Sequence, residues 1–168
     1  MTAMRIGNGF DIHRFSDDPD RLLVLGGVHF VGEVGLDGHS DADVVAHAVA
    51  EALLGAVGLD DLGTHFPDTD ERWRGVDSIE LLAEVVRLVR QDGWEPVNVD
   101  CSVIAEHPKL APRRAEMQSV LSGTVGAPVT VKGRRAEGIG GLGRAEGIAC
   151  LASALVSSRI VFVDERSS

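Results

Sequence analysis

The sequence predicts an α+β fold in which helices pack on one face of a mixed sheet. Two kinds of pattern indicate it. Short alternating or apolar segments are typical of strands, and longer segments with a 3.6-residue apolar period are typical of helices. Along the chain, they predict the order β-β-β-α-α-β-α-β-α, which fits a layer of helices on a sheet. The length of 168 residues suits a single domain spanning residues 1–168, with flexible ends at 1–3 and 165–168.

The N-terminal half provides three strands and two helices. Residues 4–15, MRIGNGFDIHRF, alternate well enough to form a strand, and residues 22–30 are predicted to form a hairpin that turns at Gly26 and Gly27. A helix is predicted over 41–57, capped by Ser40 or Asp41. A long polar loop follows at 58–75, and loops of this length are usually functional or disordered. The clearest helix spans 77–93, from an Asp77 or Ser78 cap to Gly93.

The C-terminal half alternates strands and helices. Residues 95–106 and 128–133 are predicted strands, separated by a helix over 111–126 with a proline in its first turn. Residues 133–147 are glycine-rich. The segment 146–156, EGIACLASALV, is predicted as a last helix, and RIVFV at 159–163 as a short closing strand.

Composition and charge restrict the partners. The net charge of −10 disfavours general binding to nucleic acid or to anionic membranes, because the long-range field is repulsive. No apolar run reaches the length of a membrane span, and the N-terminus lacks a signal-peptide core, so a cytoplasmic protein is expected. Cys101 and Cys150 form no CxxC pattern and are predicted to be buried thiols.

A pair of polar residues interrupts the first strand. Asp11 and His13 are two positions apart, so on a strand both side chains project from the same face. They are close enough to share a metal ion, although on the pair alone a partly buried Asp–His hydrogen bond is the better explanation.

A second polar cluster, GHSDADVVAHA at residues 38–48, strengthens the metal hypothesis. By itself His47 could be a core histidine with a satisfied hydrogen bond. Together with Asp11 and His13 it forms a set of two histidines and one carboxylate. Three protein ligands leave one tetrahedral position open, which is the arrangement of a catalytic zinc site.

Four motifs in this order, GFDIHRF, GHSDADVVAHA, DLGTHFPDTD and GRAEGIA, closely resemble those of the 2-C-methyl-D-erythritol 2,4-cyclodiphosphate synthase family. The resemblance runs from Arg5 to about Val156. It implies an enzyme of isoprenoid biosynthesis in which the 2-phosphate of 4-diphosphocytidyl-2-C-methyl-D-erythritol 2-phosphate attacks the β-phosphorus and expels CMP. It implies a homotrimer with active sites between subunits. The fold expected on this basis is a ferredoxin-like mixed sheet with helices on one face.

The resemblance also implies roles for individual residues. Zn²⁺ would be held by Asp11, His13 and His47, and a second ion, Mg²⁺ or Mn²⁺, by Glu137. His39 would stabilise the transition state, and Ser40 would lie beside the phosphates. The remaining substrate contacts would come from three short segments near the ribose, the erythritol part and the cytosine: Asp61, Leu62 and Gly63; Phe66, Pro67, Asp68, Thr69 and Asp70; and Ala105, Glu106, His107, Pro108, Lys109, Leu110 and Ala111. For two of these segments a simpler explanation stays open, since FPDTD could be a capped turn and residues 105–111 a strand-to-helix connection.

The chain departs from the family after Lys132. Where relatives usually have Ala-Thr-Thr-Thr-Glu, this sequence has GRRAE, so Arg134 and Arg135 stand in place of two threonines and Arg135 takes the position of a catalytic one. Arginine is a charged, forked phosphate ligand and could replace threonine, but two long cations could also obstruct the site or displace the second metal. A pair of surface-exposed arginines is the third possibility.

A further departure is Gly141, where the family commonly has a phenylalanine facing the central channel of the trimer. Arg144, which in relatives grips an isoprenoid diphosphate in that channel, is retained. Without the aromatic ring the apolar part of that contact is smaller.

Two other functions remain as alternatives. A non-catalytic homologue that binds zinc and a cytidine nucleotide would explain the arginine pair. A zinc phosphohydrolase would need an activated water, for which His39 is the available base. The three functions predict different products from the same substrate: a cyclic diphosphate with CMP, no product, or inorganic phosphate.

Overall fold

A computed structural model describes residues 2–38, 40–67, 69, 73 and 75–159. Its centre is a four-stranded mixed sheet in the order β1-β6-β4-β5, made of β1 (Met4–Arg14), β4 (Trp94–Ile104), β5 (Val129–Arg134) and β6 (Gly147–Ser158). The central strand β6 is antiparallel to both neighbours, whereas β4 and β5 are parallel and are connected through a helix. The predicted α+β class with a mixed sheet is confirmed.

The predicted hairpin is also confirmed, as a separate two-stranded sheet of β2 (Leu23–Leu25) and β3 (Val28–Phe30). Both turn residues, Gly26 and Gly27, have positive φ angles of 59° and 72°. Glycine adopts this conformation without steric cost, and it is the one that a two-residue primed turn requires.

Three longer helices cover one face of the sheet: α1 (Val44–Val57), α3 (Ser78–Gln91) and α4 (Arg114–Val125). Short helical turns form α2 (Leu62–His65) inside the long loop and α5 (Gly140–Gly143) inside the glycine-rich segment. Two of these helices, α1 and α4, begin later than the sequence predicted. Asp43 rather than Ser40 or Asp41 caps α1, and Pro112 lies in the turn before α4 rather than in its first turn. The predicted Asp77 cap of α3 is confirmed.

The predicted C-terminal helix over 146–156 is wrong, because this segment is the central strand β6. Its alanines favour a helix, but pairing with β1 on one side and β4 on the other satisfies the backbone along its whole length. The predicted strand at 159–163 lies outside the described residues except for Arg159.

The sheet face opposite the long helices carries exposed apolar side chains. Met4, Ile6, Phe10 and Ile12 alternate along β1, and Leu151 lies beside Phe10 on β6; Ile6 is 70% exposed. We call these five residues the open face. Among the described helices, none has the length and apolar character of a membrane span.

Candidate active site

The residues Asp11, His13 and His47 come together and form what we call the metal centre. Asp11 Oδ2 lies 2.9 Å from His47 Nδ1 and 3.3 Å from His13 Nε2. One ligand atom from each residue lies within 4.8 Å of the other two, and this is the one such group found among the described residues. Two imidazoles and a carboxylate are suitable donors for zinc, and a set of three leaves a coordination position open for substrate.

Two glycines bring the strand against the helix that carries His47. Gly7 and Gly9 share the β1 face of Asp11 and His13. A Cβ atom at Gly7 would lie 2.0 Å from the carbonyl oxygen of Ala52, and one at Gly9 would lie 2.0 Å from that of Ala48. Since no side chain fits in these positions, the strand backbone packs directly on α1. This close approach places the next two residues of the same strand face beside His47.

The electrostatics of the metal centre favour a charged carboxylate. Burial alone would raise the pKa of Asp11, but its hydrogen bonds with His13 and His47 outweigh burial and hold the pKa well below its usual range. The hydrogen bond with Asp11 raises the pKa of His13 despite partial burial. Asp11 therefore holds both imidazoles by hydrogen bonds before any ion is present.

Each histidine has a second partner behind the metal centre. His13 Nδ1 lies 2.6 Å from the carbonyl oxygen of Asp37, which only accepts, so this nitrogen carries a proton and Nε2 is the nitrogen that a metal ion would bind in place of the proton shared with Asp11. His47 Nε2 lies 2.9 Å from Ser78 Oγ and 3.2 Å from Ser40 Oγ. Such outer hydrogen bonds set the ring orientation of metal-binding histidines.

Asp43 is near the metal centre but has a structural role. Its fully buried carboxylate accepts hydrogen bonds from the backbone N–H groups of Val45 and Ala46 in α1 and of Gly26 and Gly27 in the hairpin turn. Burial raises its pKa, and the hydrogen bonds from Gly27, Gly26 and Ala46 oppose that effect. Asp43 therefore joins the hairpin to the first turn of α1 and contributes no ligand.

A cavity of about 260 Å³ opens above the metal centre, and we call it the first cavity. Of the predicted substrate residues, Ser40, Leu62, Gly63 and Phe66 line it, whereas Pro67 and Thr69 do not. Asp61 caps α2 by accepting a hydrogen bond from Thr64 N at 2.8 Å, so its carboxylate has a structural partner at this position. The predicted residues His39, Asp68 and Asp70 lie outside the described residues.

The sequence did not reveal Glu51, which also lines the first cavity. Its Oε1 accepts a hydrogen bond from the backbone N–H of Leu62 at 3.0 Å and so holds the start of α2 against α1. The available signal was its position four residues after His47, which places both side chains on the same side of the helix.

A second cavity, of about 210 Å³, lies at the other edge of the sheet. It brings together the arginine pair and residues 105–111, the segment predicted to contact the cytosine. From these two sets, all but His107 line the cavity: Ala105, Glu106, Pro108, Lys109, Leu110, Ala111, Arg134 and Arg135. Arg114, from the first turn of α4, also lines it and was missed. Four cations and one carboxylate make this cavity locally basic on a chain whose net charge is −10.

The two cavities are separated by the width of the sheet. Asp11 is paired with Cys150, Cys150 with Val103, and Val103 with Gly133, so these residues form one row across four strands. Three strand spacings of about 4.8 Å put Asp11 and Gly133 roughly 14 Å apart. Within one chain, the metal centre and the arginine pair therefore belong to different cavities.

The remaining predicted residues lie near the glycine-rich segment. Glu137 is exposed and has a positive φ of 54°. Gly141 lies beside Glu146, whose carboxylate pairs with Arg144 at 2.7 Å. In the described residues Glu137 is not part of a metal-ligand group, so its role as a second metal ligand stays a prediction.

The fold and the site define a class: an α+β protein with a two-histidine, one-carboxylate centre between the edge strand of a sheet and the helix that covers it. The particular family follows from comparison with known proteins. The model of the YgbB family matches residues 4–157, and the chain belongs to that family.

Named relatives of the chain support this family assignment. The 2-C-methyl-D-erythritol 2,4-cyclodiphosphate synthase of Geobacillus thermodenitrificans is 53% identical over 148 residues, which are 86% of this chain and 91% of the relative. The bifunctional enzyme IspD/IspF of Anaeromyxobacter dehalogenans is 53% identical over 153 residues, which are 89% of this chain. The chain spans 39% of the length of that bifunctional relative.

Solved structures show the same fold. The bifunctional IspDF of Campylobacter jejuni superimposes with a TM-score of 0.89 at 39% identity, over 94% of this chain and 43% of that one. The IspF of Plasmodium falciparum, in complex with CDP, superimposes with a TM-score of 0.81 at 32% identity, over 94% of this chain and 97% of that one.

Proposed function

We propose that this chain cyclises 4-diphosphocytidyl-2-C-methyl-D-erythritol 2-phosphate to 2-C-methyl-D-erythritol 2,4-cyclodiphosphate and releases CMP, in isoprenoid biosynthesis. The observation that carries the proposal is the metal centre at the base of the first cavity. The names of the relatives, and the CDP held by one solved neighbour, support it.

In this reaction an oxygen of the substrate's 2-phosphate attacks the β-phosphorus, and the bond from that phosphorus to the CMP oxygen breaks. The nucleophile belongs to the substrate, so the protein needs to align two phosphates that repel each other and to offset their charge. A Zn²⁺ ion held by Asp11, His13 and His47 would supply Lewis-acid charge to a phosphate oxygen. Ser40, which lines the same cavity, would donate a hydrogen bond to phosphate.

The second cavity would hold the cytidine part of the substrate. Residues 105–111 would surround the base, and Arg135 and Arg134 would take over the phosphate contacts of the family's threonines. The cavity lining favours phosphate contacts over an arginine pair without a binding role. Both arginines border a cavity that is also lined by Lys109 and Arg114. Glu137 would hold the second ion, Mg²⁺ or Mn²⁺.

A homotrimer would complete the site. The open face places five exposed apolar side chains together on one side of the sheet, and such a patch supports a covered interface. The two cavities lie at opposite edges of the sheet, so the first cavity of one subunit could meet the second cavity of its neighbour. Replacing Ile6 with aspartate should then yield monomers in sedimentation velocity, whereas the same change at Val31, exposed but outside the open face, should leave trimers. A wild-type monomer at micromolar concentration would contradict the assembly.

Product analysis tests the function. The purified protein is incubated with the substrate, Zn²⁺ and Mg²⁺, and the products are separated by anion exchange. Equal amounts of CMP and cyclic diphosphate are expected. Inorganic phosphate would indicate a phosphohydrolase, and nucleotide binding without product would indicate the non-catalytic homologue.

A further inference from the structure

Behind the metal centre, Ser78 and Asp41 form a hydrogen-bonded chain with His47. Ser78 is the first residue of α3, 31 positions from His47, and is 1% exposed. Its Oγ lies 2.9 Å from His47 Nε2 and is also hydrogen-bonded to Asp41 Oδ1. The backbone N–H of Ser78 donates to Asp41 Oδ2 at 3.2 Å, so the carboxylate holds both polar groups of the serine.

The direction of these hydrogen bonds follows from their chemistry. A carboxylate only accepts, so the single hydroxyl hydrogen of Ser78 goes to Asp41. The serine oxygen can then only accept from His47, and this requires the ring proton on Nε2. Ser40 Oγ, 3.2 Å from the same nitrogen, already accepts from Ala42 N and can share that proton as a second acceptor.

With its Nε2 proton on Ser78, His47 offers Nδ1 to a metal ion, which would replace the proton that Nδ1 donates to Asp11 Oδ2, 2.9 Å away. We propose that Ser78 and Asp41 are positioning residues that fix the ring of His47 so that it binds the metal through Nδ1. His13 is held in the opposite sense, with Nδ1 on a carbonyl oxygen and Nε2 toward the metal centre. The inference rests on the proposed zinc site but assigns a role to two residues outside the ligand set.

The test measures zinc affinity rather than turnover. Zn²⁺ is titrated into the metal-free protein against a chromophoric chelator for the wild type, Ser78→Ala, Ser78→Thr and Asp77→Ala. Loss of an outer hydrogen bond to a metal-binding histidine typically costs about 10–100-fold in metal affinity, and that loss is expected for Ser78→Ala. Ser78→Thr keeps the hydroxyl and should restore most of the affinity.

Asp77→Ala is the matched control, because Asp77 caps the same helix through Ile79 N but does not touch His47. It should weaken the start of α3 while leaving zinc affinity within about twofold of the wild type. Equal losses in Ser78→Ala and Asp77→Ala would overturn the inference, because the effect would then come from helix stability. Wild-type zinc affinity in Ser78→Ala would also overturn the inference, although the proposed metal centre itself would stand.

Nitrogen-15 NMR of the zinc-loaded protein provides the second measurement. The wild type should show His47 with a protonated Nε2 and a metal-bound Nδ1, and Asp41→Asn should broaden or shift that N–H signal. Zinc bound through Nε2 of His47 would overturn the inference. A wild-type protein that binds no zinc would instead overturn the proposed metal site, and the positioning role with it, so the two failures are distinguishable.

Discussion

At the metal centre each side chain comes from a packed element, whereas in the second cavity the two arginines come from the end of an edge strand and the residue after it. Asp11 and His13 are held by a strand that packs on α1, and His47 is hydrogen-bonded from two sides. Arg134 and Arg135 are exposed, and Arg134 bonds to the neighbouring carbonyl oxygen of Gly133. The metal centre is thus preorganised within one chain by packing and hydrogen bonds, whereas both arginines of the second cavity have exposed side chains.

The largest expected effect comes from removing a ligand at the metal centre. His47→Ala should lower CMP release by about three orders of magnitude or more, since Lewis-acid stabilisation of phosphate charge is worth several kcal/mol. Bound zinc, measured by atomic absorption, should fall in parallel. The control is His29→Ala, because His29 is exposed on β3 and lines neither cavity. Full zinc occupancy in His47→Ala would refute the ligand assignment.

The second largest effect tests the packing that supports the metal centre. Gly9→Ala introduces a methyl group 2.0 Å from the carbonyl oxygen of Ala48, so the strand must move away from α1. We expect the free energy of unfolding to fall by about 3 kcal/mol, as for severe overpacking, and zinc affinity to fall with it. Urea denaturation and chelator competition measure the two quantities.

Gly123→Ala is the control for that substitution. Gly123 lies in α4, and a Cβ atom added there would have no neighbouring atom within 4 Å, so alanine should stabilise the helix by about 0.5–1 kcal/mol. Opposite signs for the two glycines would confirm that contact with α1, and not loss of glycine as such, determines the cost. Zinc affinity should be unchanged in Gly123→Ala, because this glycine does not contact the strand that carries Asp11 and His13.

The smallest expected effect lies in the second cavity. A charge-assisted hydrogen bond is worth roughly 1.5–3 kcal/mol, so Arg135→Ala should lower turnover by about one to two orders of magnitude. Arg87→Ala is the control, since Arg87 is an exposed arginine paired with Glu84 away from both cavities. Faster CMP release by Arg135→Thr, with Arg134→Thr, would mean that the arginines obstruct the site. No change in any of these variants would mean that the pair does not face the phosphates.

Much of the metal centre could be predicted because its signals are local. The spacing of Asp11 and His13 determines that they share a strand face, and the helical pattern places His47 on α1. The hairpin glycines and the Asp77 cap are equally local, and the structure confirms them. Motif resemblance, confirmed by family membership, also singled out Ser40, Leu62, Gly63 and Phe66, which line the first cavity, and most of residues 105–111, which line the second; their contacts with substrate stay predictions.

The sequence predictions were wrong where contacts between residues far apart in the chain determine the structure. The alanines of residues 147–158 favour a helix, but two flanking strands offer continuous pairing, and this outweighs a propensity of a few tenths of a kcal/mol per residue. Asp41 was a plausible helix cap, yet it accepts from Ser78 across the fold, and the buried Asp43 caps α1 instead. No local pattern distinguishes these two aspartates.

The sequence by itself determined the candidate groups of this protein: two histidines and a carboxylate at their spacing, an arginine pair after Lys132, and a net charge of −10. The tertiary structure decided which residues meet. In the folded chain Gly7 and Gly9 pack on α1, Ser78 lies behind His47, and Asp11 and Gly133 are about 14 Å apart at opposite edges of one sheet. The physical reason is that strand and helix periodicities act over a few residues, whereas close packing and burial of polar groups depend on partners far along the chain.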